Sequence, residues 1–140
     1  MKELEEPIGE LSVEEICKNI NNNYFFVPSF QRDFVWDYKK IEQLFDSIYN
    51  NYPVSDIILL KITEKEKNLL SYYSIKKELV QSVVFDNAEI PIIDTLESNY
   101  CIMDGQQRLT SIYVGIYGKF KCKKIDGVNM VLCFNLLSSN

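Results

Sequence analysis

The stretch IMDGQQRLTSIY (residues 102–113) decides how this chain reads. Leu109, Ile112, Tyr113 and, one turn on, Ile116 recur at helical spacing, and Gly118 follows as a helix-ending glycine. Residues 99–104 (NYCIMD) read as a short strand leading into that helix. Between strand and helix lies an unbroken polar string, Asp104-Gly105-Gln106-Gln107-Arg108.

Two readings of the string stand side by side. In the first, Asp104 is an N-cap, Gln107 closes a capping box, and Arg108 pairs with an acid. In the second, the helix start is an anion site. The first helical N–H groups have no partner within the helix, and the helix dipole adds positive potential there. Gly105 lets a ligand approach the backbone closely, and Arg108 offers a planar fork that bonds phosphate in a bidentate way. Asp104 can then hold a magnesium ion beside phosphates or orient a water, and Gln106 and Gln107 can position a water or read a base edge.

A second block, VPSFQRDFVW (residues 27–36), repeats the dipeptide Gln-Arg. The chain has 15 basic residues, and only Arg32 and Arg108 are arginine. Both follow a glutamine, and both sit in these blocks. Lysine carries positive charge everywhere else, so these two places either call for the fork that lysine lacks or hold arginine in a buried structural ion pair or by chance. Pro28, Phe30, Phe34 and Trp36 frame Gln31, Arg32 and Asp33. Phe34 and Trp36 read as core, while Phe30 or Trp36 is also placed to stack on a base.

Around these blocks the elements follow from local signals. Ser12 and Glu15 form a capping box, with Leu11 and Ile16 at the staple positions, for a helix from Val13 to about Ile20. The run Asn21-Asn22-Asn23 ends it. A strand is predicted over residues 24–27, stopped by Pro28. Asp37 caps a second helix carrying Ile41, Leu44, Phe45 and Ile48, which ends near Asn50-Asn51. Residues 56–62 (DIILLKI) read as a buried strand. Residues 63–98 read as a peripheral insertion, a helix then a hairpin. Residues 119–124 (KFKCKK) form a basic strand or turn, Asp126-Gly127 a hairpin turn, and residues 129–137 a strand. Strands and helices mix without regular alternation, which predicts an α+β domain with a small mixed sheet and packed helices. The domain is a single one over residues 1–140, with its core at about 11–62 and 99–137. Ser138-Ser139-Asn140 reads as a cut, so the chain is expected to be a fragment of a longer protein.

Composition narrows the function. With 140 residues, 46% apolar and 25% charged, the chain is an ordinary globular length and mix. No apolar run approaches the roughly 20 residues a membrane helix needs, and the acidic N-terminus is unlike a signal peptide, so a cytoplasmic protein is expected. There is no histidine. That removes Ser-His and Cys-His nucleophiles, imidazole metal sites and His-dependent nuclease motifs. Cys17, Cys101, Cys122 and Cys133 form no C-x-x-C pair. The net charge of −5 argues against gripping nucleic acid through the overall field.

Together the two blocks resemble the signature motifs of the ParB-like N-terminal domain of GmrSD-type, modification-dependent restriction endonucleases: I-P-x-Y-Q-R-x-Y-x-W, then D-G-Q-Q-R-L-T. The resemblance covers about residues 11–118, without the insertion. YPVSDIILL (residues 52–60) resembles the family's P-x-G-x-I strand, with Ser55 where glycine is usual. The resemblance implies a ParB/sulfiredoxin-like fold. It implies binding or hydrolysis of an NTP, with magnesium, in a regulatory domain of an antiphage defence protein acting on modified DNA. It carries the roles to Gln31, Arg32, Asp104, Gly105, Gln106, Gln107 and Arg108. Asp104, Gln107 and Arg108 would be catalytic, with Asp104 as the metal ligand. Gln31, Arg32, Gly105, Gln106 and Arg108 would bind the nucleotide. Such proteins usually continue into a His-dependent nuclease domain, so DNA would be reached through the full-length protein and not cut by this segment. The alternative is a DNA-binding, modification-sensing module without hydrolysis, helped by Lys119, Lys121, Lys123 and Lys124. A scaffold domain with no ligand is the third reading.

Overall fold

The computed structural model describes residues 9–63, 66, 69, 71–75, 78–80, 100–122 and 128–135. Among the described residues three helices pack beside two small sheets, so the fold is α+β. Helix α1 spans Val13–Asn21, α2 Tyr38–Tyr49 and α3 Gln106–Tyr117. The first sheet has the order β2-β5-β1-β3, from β1 (Phe25–Pro28), β2 (Ile58–Lys61), β3 (Tyr72–Tyr73) and β5 (Tyr100–Asp104). It is mixed: β1 runs parallel to β5, while β2 and β3 are antiparallel to their neighbours. The second sheet has the order β4-β6-β7, from β4 (Glu78–Val80), β6 (Lys119–Cys122) and β7 (Val128–Met130).

Local chemistry sets the helix ends. Ser12 Oγ accepts from the Glu15 N–H at 3.2 Å, and Glu15 Oε2 accepts from the Ser12 N–H at 2.8 Å, the predicted capping box. Asp37 Oδ1 accepts from the Lys40 N–H at 3.0 Å. The asparagine runs end α1 and α2 in the same way. Asn23 and Asn51 adopt left-handed φ of 57° and 56°. The next residue in each case, Tyr24 or Tyr52, donates back to Asn19 or Ser47 at 2.8 Å. These are Schellman closures with asparagine in the place glycine usually takes.

Strand alternation divides the apolar residues. Phe25, Val27 and Ile102 face the helices and join Ile16, Cys17, Ile20, Leu44, Leu109, Ile112 and Tyr113 in the main core. On the opposite face Phe26, Ile62, Tyr72 and Cys101 form a smaller cluster with Met103 against it. Phe34, Ile41, Val114 and Phe120 tie α2 and α3 to the second sheet. Helix α3 is the centre: seven of its twelve residues, Gln107 and Leu109 to Val114, are buried. At Gly115 a Cβ would lie 2.6 Å from Phe45 Cζ, so any larger residue would have to displace the Phe45 ring at the crossing with α2.

The structure corrects several expectations. The run DIILLKI is an edge strand and not a buried one: Ile58 is 55% and Leu60 47% exposed, while Leu59 packs on the core. An edge strand with helices on one face buries only alternate side chains. Ile116 is 46% exposed, and Val114 takes the anchoring role expected of it. In the 63–98 stretch, Tyr72–Tyr73 pairs with β1 and Glu78–Val80 with β6, where a helix then a hairpin was predicted. Residues 81–99 lie outside the described residues, as do the Asp126-Gly127 turn, Lys123 and Lys124. The strand predicted over 129–137 is confined to β7 among the described residues. No helix among the described residues is long and apolar enough to cross a membrane.

Candidate functional site

The two polar blocks meet in space. Gln31 Nε2 donates to the Met103 carbonyl at 2.8 Å, tying the first block to the end of β5. From the other side Gln107 Oε1 accepts from the Val35 N–H at 2.9 Å, and its Nε2 donates to the Asp33 carbonyl at 3.0 Å. Gln107 is only 8% exposed. Both ends of its amide thus hold the 33–35 backbone, and one lone pair and one N–H remain beyond these two bonds. Arg32 sits between the two anchors, exposed, with no side-chain hydrogen bond among the described residues. Phe30 is also exposed, at 57%.

Helix α3 starts on a left-handed turn. Gly105 is the N-cap residue, with φ 87° and ψ 9°, and no side chain caps the helix. This replaces the expected Asp104 cap. The first intrahelical bond runs from the Leu109 N–H to the Gly105 carbonyl at 2.9 Å. The N–H groups of Gln106, Gln107 and Arg108 precede it and lack helical partners. A Cβ at residue 105 would lie 3.0 Å from Ile57 Cγ1 and 3.4 Å from Arg108 Nη2, in a backbone conformation that side chains rarely adopt. The glycine is thus required twice, by its φ and by the close approach of the 54–57 segment.

Arg108 bridges that segment and the strand end. Its Nη1 donates to the Val54 carbonyl at 2.7 Å, and its Nη2 reaches Asp104 Oδ2 at 3.3 Å. The Arg108 side chain is 14% exposed and that of Asp104 65%. The guanidinium is fixed by a backbone carbonyl, while the carboxylate remains in solvent, joined by a long contact that screening weakens. Gln106 is half-buried and makes no side-chain hydrogen bond among the described residues.

Next to this turn opens a cleft of about 720 Å³. Its apolar floor includes Ile16, Phe25 and Leu109, and its wall is the 55–59 segment. Ile57 belongs to both the cleft and the surroundings of Gly105. Sequence reasoning named the Gln-Arg and Asp-Gly-Gln-Gln-Arg residues but not Val54, Ile57 or the cleft residues Glu10 and Asp56. The available signal was the stop after Asn51 and Pro53, which marks a loop placed before a strand.

Ser55 carries the local departure from the P-x-G-x-I pattern. Its φ is 69°, the left-handed region. The backbone keeps the shape that glycine would take, at the cost of strain in a serine.

Residues 13–135 match the family described as "GmrSD restriction endonuclease, N-terminal domain". An uncharacterized protein of Methanocaldococcus jannaschii is 30% identical over 103 residues, covering 74% of this chain and 16% of that protein. The chain thus aligns with about a sixth of that relative's length. With both signature blocks inside the matched span, the chain belongs to the family of GmrSD restriction endonuclease N-terminal domains.

Proposed function

We propose that this domain binds a nucleoside triphosphate and hydrolyses it, as the regulatory domain of a restriction-type antiphage defence protein that acts on modified DNA. The observation that carries the reading is the turn at Gly105. It presents uncapped helix N–H groups beside the held guanidinium of Arg108 and the solvent-exposed carboxylate of Asp104. Such a cradle suits a polyphosphate, whose charge needs both N–H donors and a fork. Arg32, on the loop held by Gln31 and Gln107, supplies a second fork. The ParB/sulfiredoxin-like kinship belongs to this same reading.

Magnesium fits the donor set. Among the described residues no three His, Cys, Asp or Glu side chains cluster, so a closed all-protein metal cage is not built there. A single exposed carboxylate suits a metal held jointly with phosphates, and Asp104 would be its protein ligand. The ion would neutralise charge on the phosphate oxygens. Gln106, whose amide is free of protein partners among the described residues, would orient the attacking water. Gln107 positions the Arg32 loop through its two backbone bonds.

The test is phosphate release from each NTP with magnesium. Wild type should release phosphate, and Arg108→Ala should remove the activity. NTP binding without release in the full-length protein would refute the hydrolase claim. The alternative, a modification-sensing DNA module, draws on Lys119 and Lys121, which stand exposed on the same face of β6. It predicts salt-sensitive DNA binding that is lost with those lysines and no NTP affinity.

A further inference from the structure

The cleft beside the Gly105 turn differs in chemistry from the turn itself. Its apolar surface comes from Leu11, Ile16, Phe25, Ile57, Leu59 and Leu109, and Phe25 and Leu109 are 3% and 0% exposed. Its charged lining groups are the carboxylates of Glu10 and Asp56, with Ser55 beside them. Neither carboxylate has a hydrogen-bonding or ionic partner among the described residues. Neither arginine lines the cleft.

This division excludes phosphate from the cleft. Two carboxylates repel it, and no lining cation offsets them. The same surface suits an uncharged, flat heterocycle that presents N–H donors. Apolar walls take its faces, and a carboxylate, which only accepts hydrogen bonds, takes its edge. The cleft adjoins the Gly105 turn at Ile57, which lines the cleft and lies 3.0 Å from where a Cβ on residue 105 would sit. Its volume of about 720 Å³ is ample for a base and sugar.

We propose that the cleft between α1 and the 55–59 segment holds the nucleoside end of the nucleotide, and that Asp56 selects guanine. The inference rests on the nucleotide reading above. Guanine places two adjacent donors, N1–H and the 2-amino group, on its pairing edge. A carboxylate accepts both in a bidentate pair. Adenine and cytosine each set one donor beside a ring acceptor, which a carboxylate repels. Uracil sets one donor between two carbonyl oxygens. Asp56 is the selector because it stands on the cleft wall next to Ile57, the residue that also packs against the Gly105 turn.

The experiment is calorimetric titration of the chain, with magnesium, using GTP, ITP and ATP. ITP lacks only the 2-amino group. Wild type is expected to bind GTP about tenfold or more tightly than ITP or ATP, the range a lost bidentate pair gives. Asp56→Asn should fall to a common affinity for all three, with its melting temperature unchanged without ligand because residue 56 is exposed. Equal binding of the three by wild type, or a GTP preference that survives Asp56→Asn, overturns the inference and leaves the nucleotide reading standing. Failure of all three to bind overturns both.

Discussion

Replacing Gln107 with alanine separates a structural from a chemical role for the motif's second glutamine. The amide holds the Val35 N–H at 2.9 Å and the Asp33 carbonyl at 3.0 Å from a site only 8% exposed. Alanine removes both bonds and leaves a backbone donor and acceptor short of partners. Each loss costs about 1–1.5 kcal/mol, and alanine regains about 0.4 kcal/mol of helix propensity, so the net loss is about 1.6–2.6 kcal/mol. For a domain of this size that lowers the melting temperature by about 5–9 °C. Gln107→Glu should also destabilise, because a carboxylate can accept from Val35 but faces the Asp33 carbonyl without a proton. The assay is thermal unfolding followed by circular dichroism, run beside nucleotide titration. Nucleotide affinity should weaken in the alanine variant, because Arg32 rides on the released loop. A variant that melts like wild type yet loses phosphate release would refute the clamp and make Gln107 a chemical residue.

Two further outcomes follow from the backbone and the buried thiols. Ser55→Gly removes the strain of a left-handed serine at φ 69° and should raise stability by about 0.5–1 kcal/mol after glycine's entropy cost, read as a higher urea midpoint. A lower midpoint would mean that the serine hydroxyl holds the turn. Burial pushes the Cys101 thiol from 9.0 up to about 12. Burial also raises Cys17, Tyr72 and Tyr113. These groups stay neutral in the fold while the unfolded chain ionises first. Their stabilisation is therefore intact below about pH 9 and is lost as pH rises toward about 12. A urea midpoint that holds level between those values would refute this.

Much of the architecture was legible because its causes are local. The Ser12–Glu15 box, the Asp37 cap and the asparagine stops each depend on residues within one turn of chain. The spacing of Leu109, Ile112 and Tyr113 likewise placed α3 and its buried face. The same logic failed at Asp104. A cap there was a sound local reading, but Asp104 is held in β5 by its pairing with Ile58, and the helix begins one residue later on the left-handed Gly105.

Sequence alone thus determined the helices, most strand positions and the two blocks where arginine is confined. Tertiary structure decided what those blocks do to one another. Gln31 and Gln107 find their partners more than 70 residues away along the chain. Arg108 is oriented by a carbonyl 54 residues earlier. Apolar pattern could not show that DIILLKI lies at an edge, because edge or centre depends on which strands pair. Strand order is a non-local property, set by how β5 joins β1 on one side and β2 on the other. The cleft that adjoins the site arises from that same assembly, since its walls come from four separate stretches of chain.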